Sequence, residues 1–166
     1  MRKRWLCLKV ENEVGVLARI SGLFASKSYN LDSISVGTTE EASISRMTIS
    51  LTSDDQTFEQ IKKQLNRSVE VIKVIDFTDS AIHRSEIFFA QVHDCAPADI
   101  DDLFRFADVY GLRVIDYEAT EVILEGVASE AANDGIVKKL VQRFQKRVEI
   151  IRGGSVAVEL LGQNSR

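Results

Sequence analysis

A chain of 166 residues with 45% hydrophobic and 28% charged content has room for one large domain or two small ones, in the composition of an ordinary globular protein. A net charge of −4 excludes a general affinity for nucleic acid or for an anionic membrane surface. Residues up to Ser80 are charge-balanced, so the excess of acid lies beyond them. Cys7 and Cys95 are too few and too far apart for a disulfide framework or a zinc site. The basic opening MRKRWLCLKV has too short an apolar run, interrupted by Lys9, for a signal peptide or a membrane span. No other stretch reaches spanning length, and the expected location is the cytoplasm.

Arg4 to Val10 alternates, with Leu6, Leu8 and Val10 on one face, and predicts a strand with that face in a core. Val16, Leu17, Ile20, Leu23 and Phe24 form an amphipathic helical stripe. Strands are expected over Leu31 to Val36 and Ile44 to Leu51, around a polar turn from Gly37 to Ala42. Ser53, Asp54 and Asp55 supply caps for a helix carrying Phe58, Ile61 and Leu65. Ser68 to Phe77 then reads as a strand. The order is that of a ferredoxin-like split βαβ unit with both helices on one face of an antiparallel sheet.

The stretch TDSAIHR, Thr78 to Arg84, breaks the pattern and reads as a linker, after which the same order repeats. A strand over Glu86 to Val92 precedes a helix over Ala98 to Tyr110. Strands follow over Leu112 to Tyr117 and Glu121 to Gly126, then a helix over Ala132 to Phe144. A strand over Val148 to Ile151 comes next, with a further one over Ser155 to Leu161 beyond Gly153-Gly154. The expected fold is α+β, two ferredoxin-like βαββαβ domains at 1–78 and 85–166 joined by a linker at 79–84.

No phosphate loop, metal-binding histidine pair, nucleophile elbow or zinc ribbon is present in the sequence. His93, Asp94 and Cys95 are adjacent, but consecutive strand residues point to opposite faces. Asp99, Asp101 and Asp102 read as helix-start residues favoured by the dipole, without the glycine and glutamate of a calcium loop. Arg46 reads as a surface or interface charge. The stretch ENEVGVLARISGLFASKSYN offers different chemistry. In one reading Asn12 and Asn30 are helix caps and Gly15 is a turn residue. In the other, N–H groups near Gly15 to Leu17 hold a carboxylate and a carbonyl of Asn12 or Asn30 accepts from an ammonium. Val16, Leu17 and Leu31 then line a pocket for a small branched side chain.

ENEVGVLARISGLFASKSYNLDSISV resembles the opening of the regulatory (small) subunit of acetolactate synthase, also called acetohydroxyacid synthase. SISRMTISL, IKKQLNRSVEVIKVIDF and the closing VEIIRGGSVAVELLG resemble later segments of that family. In place of a run like Arg-Glu-Leu-x-Leu-x-Lys-Val, this chain has Ser85-Glu86-Ile87-Phe88-Phe89-Ala90-Gln91-Val92. The resemblance implies that the first domain is an ACT domain, pairing side by side with a second copy and binding a feedback amino acid, typically valine, between them. The implied effector contacts are Asn12, Gly15, Val16, Leu17, Asn30 and Leu31. It also implies a non-catalytic homodimer that activates a separate catalytic subunit and confers feedback inhibition in branched-chain amino acid biosynthesis. Thiamine diphosphate, Mg²⁺ and FAD would belong to that partner, with no cofactor or metal in this chain. Two other readings are a stand-alone ACT-type sensor of a different enzyme or transcription factor, and a small enzyme using His93 or an Asp as base.

Overall fold

The computed structural model describes residues 1–161, so the last five positions of the expected second domain lie outside the described residues. The first βαββαβ run is β1 (Arg2–Glu11), α1 (Val16–Ser26), β2 (Ser33–Thr38), β3 (Ile44–Ser53), α2 (Asp55–Leu65) and β4 (Val71–Asp76). The second is β5 (Ile82–Val92), α3 (Pro97–Tyr110), β6 (Arg113–Tyr117), β7 (Val122–Ala128), α4 (Glu130–Phe144) and β8 (Val148–Glu159). The sheets have strand orders β2-β3-β1-β4 and β6-β7-β5-β8, the same permutation twice. Both are the ferredoxin-like arrangement expected from the pattern of periods.

In the first sheet the alternating residues Leu6, Leu8 and Val10 meet Met47, Ile49 and Leu51 on the helix-facing side. Val16, Ile20 and Phe24 of α1 and Phe58, Ile61 and Leu65 of α2 close this core. Asp54 caps α2 by accepting from the Thr57 N–H at 2.8 Å, satisfying a donor that the helix itself cannot. In the second unit Phe88, Ala90 and Val92 pack with Val122, Leu124, Leu103, Phe106, Leu140 and Phe144. There α3 begins at Pro97, with Asp99 accepting from the Ala96 N–H at 3.0 Å, and ends at Gly111 in the left-handed region (φ 65°). Ser129 caps α4, which therefore starts two residues earlier than its apolar stripe suggests.

One expectation is extended and three are corrected. The outer face of β1 is buried as well as the inner one: Trp5 and Cys7 form a second cluster with Phe77 and Ala157. In place of the two short strands expected around Gly153-Gly154, β8 runs unbroken through both, and the lack of a side chain at Gly153 lets the backbone pass close to Ile87. The expected linker holds the start of β5 at Ile82. The chain divides into two compact units, one comprising Met1–His83 together with the segment from Val156, the other Arg84–Ser155. That closing segment, expected in the second domain, is tied to the first by Leu160 N–H to Ala81 C=O at 2.9 Å. Among the described residues no helix is long and apolar enough to cross a membrane.

One ion pair of the first unit makes its stability pH-dependent. Burial pushes the Asp76 carboxyl up, but the Lys62 ammonium at 2.9 Å and the Thr78 N–H at 2.9 Å together outweigh it and hold the pKa below its ordinary value. A carboxyl lower in the folded than in the unfolded state contributes fully above the ordinary value, near 4, and loses that contribution as pH falls through the depressed one. Urea unfolding followed by circular dichroism is expected to show Asp76→Asn flattening the decline in stability below about pH 4. An unchanged acid limb would remove Asp76 as a contributor.

Candidate functional site

β1 ends at Glu11, whose N–H donates to Glu70 C=O at 3.0 Å, and the Asn12 N–H donates to Ser43 C=O at 2.7 Å. The Asn12 side chain is engaged at both ends: its Nδ2 donates to Ala42 C=O at 2.8 Å and its Oδ1 accepts from Ser45 Oγ at 3.0 Å. Asn12 therefore pins the loop to the β2–β3 turn. It does not cap α1.

The residue at the helix entrance is Gly15, at φ 88°, with no side-chain cap on the N–H groups beyond it. That left-handed geometry is costly for any residue with a Cβ. The N–H groups of Leu17 and Ala18 find no backbone acceptor among the described residues, so two donors at the positive end of α1 stay free. A Cβ at Gly15 would stand 3.0 Å from Arg19 Nη1, which places a guanidinium over the same entrance. Arg19 is itself paired with Glu70 at 2.5 Å. Its spacing of four from Gly15 is the sequence signal for this neighbour, which the implied effector contacts do not include.

The four remaining candidate residues divide into three groups. Val16 is 2% exposed and packs in the core, so its side chain is not a pocket wall and only its backbone faces the entrance. Leu17 is 47% exposed beside Val14. Asn30 and Leu31 lie past the other end of α1, where Lys27 is the C-terminal cap and Asn30 is not. Leu31 leans on the core, and the exposed Asn30 amide has no partner among the described residues.

The two ends cannot touch one small ligand within a single chain. An 11-residue helix is about 16 Å long. The sheet gives the same answer: the Asp32 N–H reaches Ser50, level with Trp5, seven residues from Asn12 and about 23 Å along the strand. Two copies with α1 antiparallel would bring the Gly15 end of one to the Asn30 end of the other.

Among the described residues of the second unit no comparable arrangement is found. His93 Nδ1 lies 3.2 Å from Glu121 Oε1, while the Cys95 Sγ is buried against Val92 C=O at 3.6 Å. Burial, and then the Asp99 charge, push the Cys95 thiol up, which makes it a poor nucleophile. Asp99 holds Arg147 at 2.8 Å and Asp102 holds Arg143 at 2.5 Å, so both carboxylates are committed to ion pairs.

Residues 6–73 match the AHAS small subunit-like ACT domain, and residues 85–160 match the small subunit of acetolactate synthase. A probable acetolactate synthase small subunit of Archaeoglobus fulgidus is 35% identical over 94% of this chain and 96% of its own. The acetolactate synthase small subunit of Aquifex aeolicus is 35% identical over 95% of this chain and 81% of its own. The solved structure of the acetolactate synthase small subunit of Thermotoga maritima superposes with a TM-score of 0.86 at 29% identity, covering 96% and 98% of the two chains. The first unit is thus an ACT domain, with an uncapped helix entrance at Gly15. The chain belongs to the acetolactate synthase small-subunit family, and its role is that of a regulatory subunit.

Proposed function

We propose that this subunit binds a free branched-chain amino acid, valine foremost, between the ACT domains of two copies. Through that site it confers feedback inhibition on a cytoplasmic acetolactate synthase whose catalytic subunit it otherwise activates. The catalytic subunit would hold thiamine diphosphate, Mg²⁺ and FAD and carry out all the chemistry. The observation that carries the reading is the separation of the Asn12–Leu17 loop from Asn30–Leu31 by the length of α1, with unsatisfied polar groups left at both ends. The free N–H groups of Leu17 and Ala18 suit a carboxylate. The Asn30 carbonyl of the other copy suits the ammonium, and Leu17 and Leu31 suit a short aliphatic side chain. A ligand that fits one dimer arrangement better than another shifts the holoenzyme by that difference in affinity.

Calorimetry of the purified chain with valine, leucine and isoleucine tests the site. Saturable binding of at least one at up to millimolar concentration is expected, and no heat from any of them would end the proposal. Asn30→Ala is expected to weaken valine binding about tenfold, the value of one lost hydrogen bond to a charged group. The same variant should still activate the catalytic subunit. An inhibition curve that does not move would leave Asn30 outside the site.

A further inference from the structure

The outer face of the first sheet, on the side away from α1 and α2, carries positive charges in one row. Arg46 on β3 stands directly opposite Lys9 on β1, and Lys9 directly opposite Lys73 on β4. Directly opposed residues of antiparallel strands share a face, and like charges so placed repel. Among the described residues neither Arg46, Lys9 nor Lys73 has a carboxylate partner.

Arg46 is the most demanding of the three. Its Nη2 donates to Ala157 C=O at 2.9 Å, in the closing segment that belongs to the same unit. Its Nε is shut off from solvent and has no acceptor. A neutral carbonyl does not balance a guanidinium, and a half-buried charge is stabilised by a counter-charge as well as by its hydrogen bonds.

Space for a counter-ion lies beside it. Arg46 borders a cavity of about 200 Å³ with Ser35, Thr38, Thr48 and Val156. Gly37, directly opposite Arg46 on β2, has no heavy atom within 4 Å of where a Cβ would stand, so the strand leaves that position open. The volume is below the roughly 300 Å³ at which drug-sized pockets begin, and suits a small ion or acid. The lining combines one guanidinium with three hydroxyls, a donor set for an oxyanion.

We propose that the outer face of this sheet holds a small-oxyanion site at Arg46, taking a carboxylate or phosphate group between β2, β3 and the closing segment, with Lys9 and Lys73 drawing the anion toward it. The site is separate from the amino-acid site at the ends of α1, which lies on the other side of the sheet.

The test is calorimetry of the full chain with sodium phosphate and, separately, sodium acetate, with no amino acid present and ionic strength held constant with sodium chloride. Saturable binding of one or both is expected; stronger phosphate binding points to a phosphorylated ligand and stronger acetate binding to a carboxylic acid. Arg46→Gln is expected to weaken it about tenfold or more. Gly37→Val, which fills the open position while keeping every charge, should weaken it as well and serves if Arg46→Gln does not fold. Valine binding should be unchanged in Arg46→Gln, so failure here and failure of the effector site are read independently. Absence of saturable binding by either anion overturns the proposal. So does equal affinity in the folded variants. If neither anion binds and Arg46→Gln instead weakens association with the catalytic subunit, the row is a protein contact and the anion site is refuted.

Discussion

Gly126→Ala is expected to destabilise the second unit by about 3 kcal/mol, at the upper end of what overpacking costs. Gly126 sits opposite Phe88 on the core-facing side of β7, and the Phe88 ring lies across it. A Cβ there would stand 2.1 Å from Phe88 Cε1 and 2.6 Å from Cζ. Neither partner has room to move, since Phe88 is fully buried among Val122, Leu124 and the two helices. Trp5, the one tryptophan of the chain, belongs to the first unit. Its fluorescence therefore follows that unit, while circular dichroism follows both. A urea transition that moves to lower denaturant by circular dichroism more than by fluorescence is the expected result. Adding Phe88→Leu should recover part of the loss, because the two substitutions share one contact. A Gly126→Ala protein with an unmoved midpoint would mean that the ring does not occupy this space.

Arg152→Ala is expected to cost about 1–3 kcal/mol, because it leaves the buried Glu86 carboxylate without its cation, while Arg152 itself is partly exposed. Glu86 is 4% exposed and is held by Arg152 through two bonds, with Arg152 Nε at 3.0 Å from Oε1. The Glu86 hydrogen bonds hold the Arg152 pKa above its ordinary value against partial burial, with Asp134 at 2.6 Å adding to them. Asn133, fully buried, donates to Glu86 C=O at 3.0 Å and to its carboxylate at 3.3 Å. Without Arg152 the Glu86 carboxylate keeps these amide contacts but has no cation. In urea unfolding Arg152→Lys, which keeps the charge, should be less impaired than Arg152→Met, which keeps only the apolar stem. An equal loss in both would mean that Arg152 contributes packing and not charge compensation.

The elements whose boundaries the sequence places well are those whose cause is local. The β1 alternation and the α1 stripe need only the identities of neighbouring residues, and Asp54 and Pro97 mark helix starts by chemistry carried within one turn. The misplaced roles involve partners far along the chain. Asn12 looks like a helix cap because it precedes a helix, yet its amide is taken by Ala42 and Ser45. Val16 looks like a pocket residue, yet the turn at Gly15 rotates it into the core. Gly126 looks like a strand end, and it is a strand interior kept bare for the Phe88 ring.

By itself the sequence determined the two βαββαβ units, the loop that holds the effector candidates, and the small-subunit family, because these rest on residue periodicity and on a contiguous motif. Tertiary structure alone decided that the two halves of the candidate site stand at opposite ends of α1, since only the fold converts a separation in sequence into one in space. It also decided that Trp5 and Cys7 are covered by Ala157, and that Arg46, Lys9 and Lys73 form one row. Strand register sets those neighbours. Register follows from the pairing of whole strands, which no local pattern encodes.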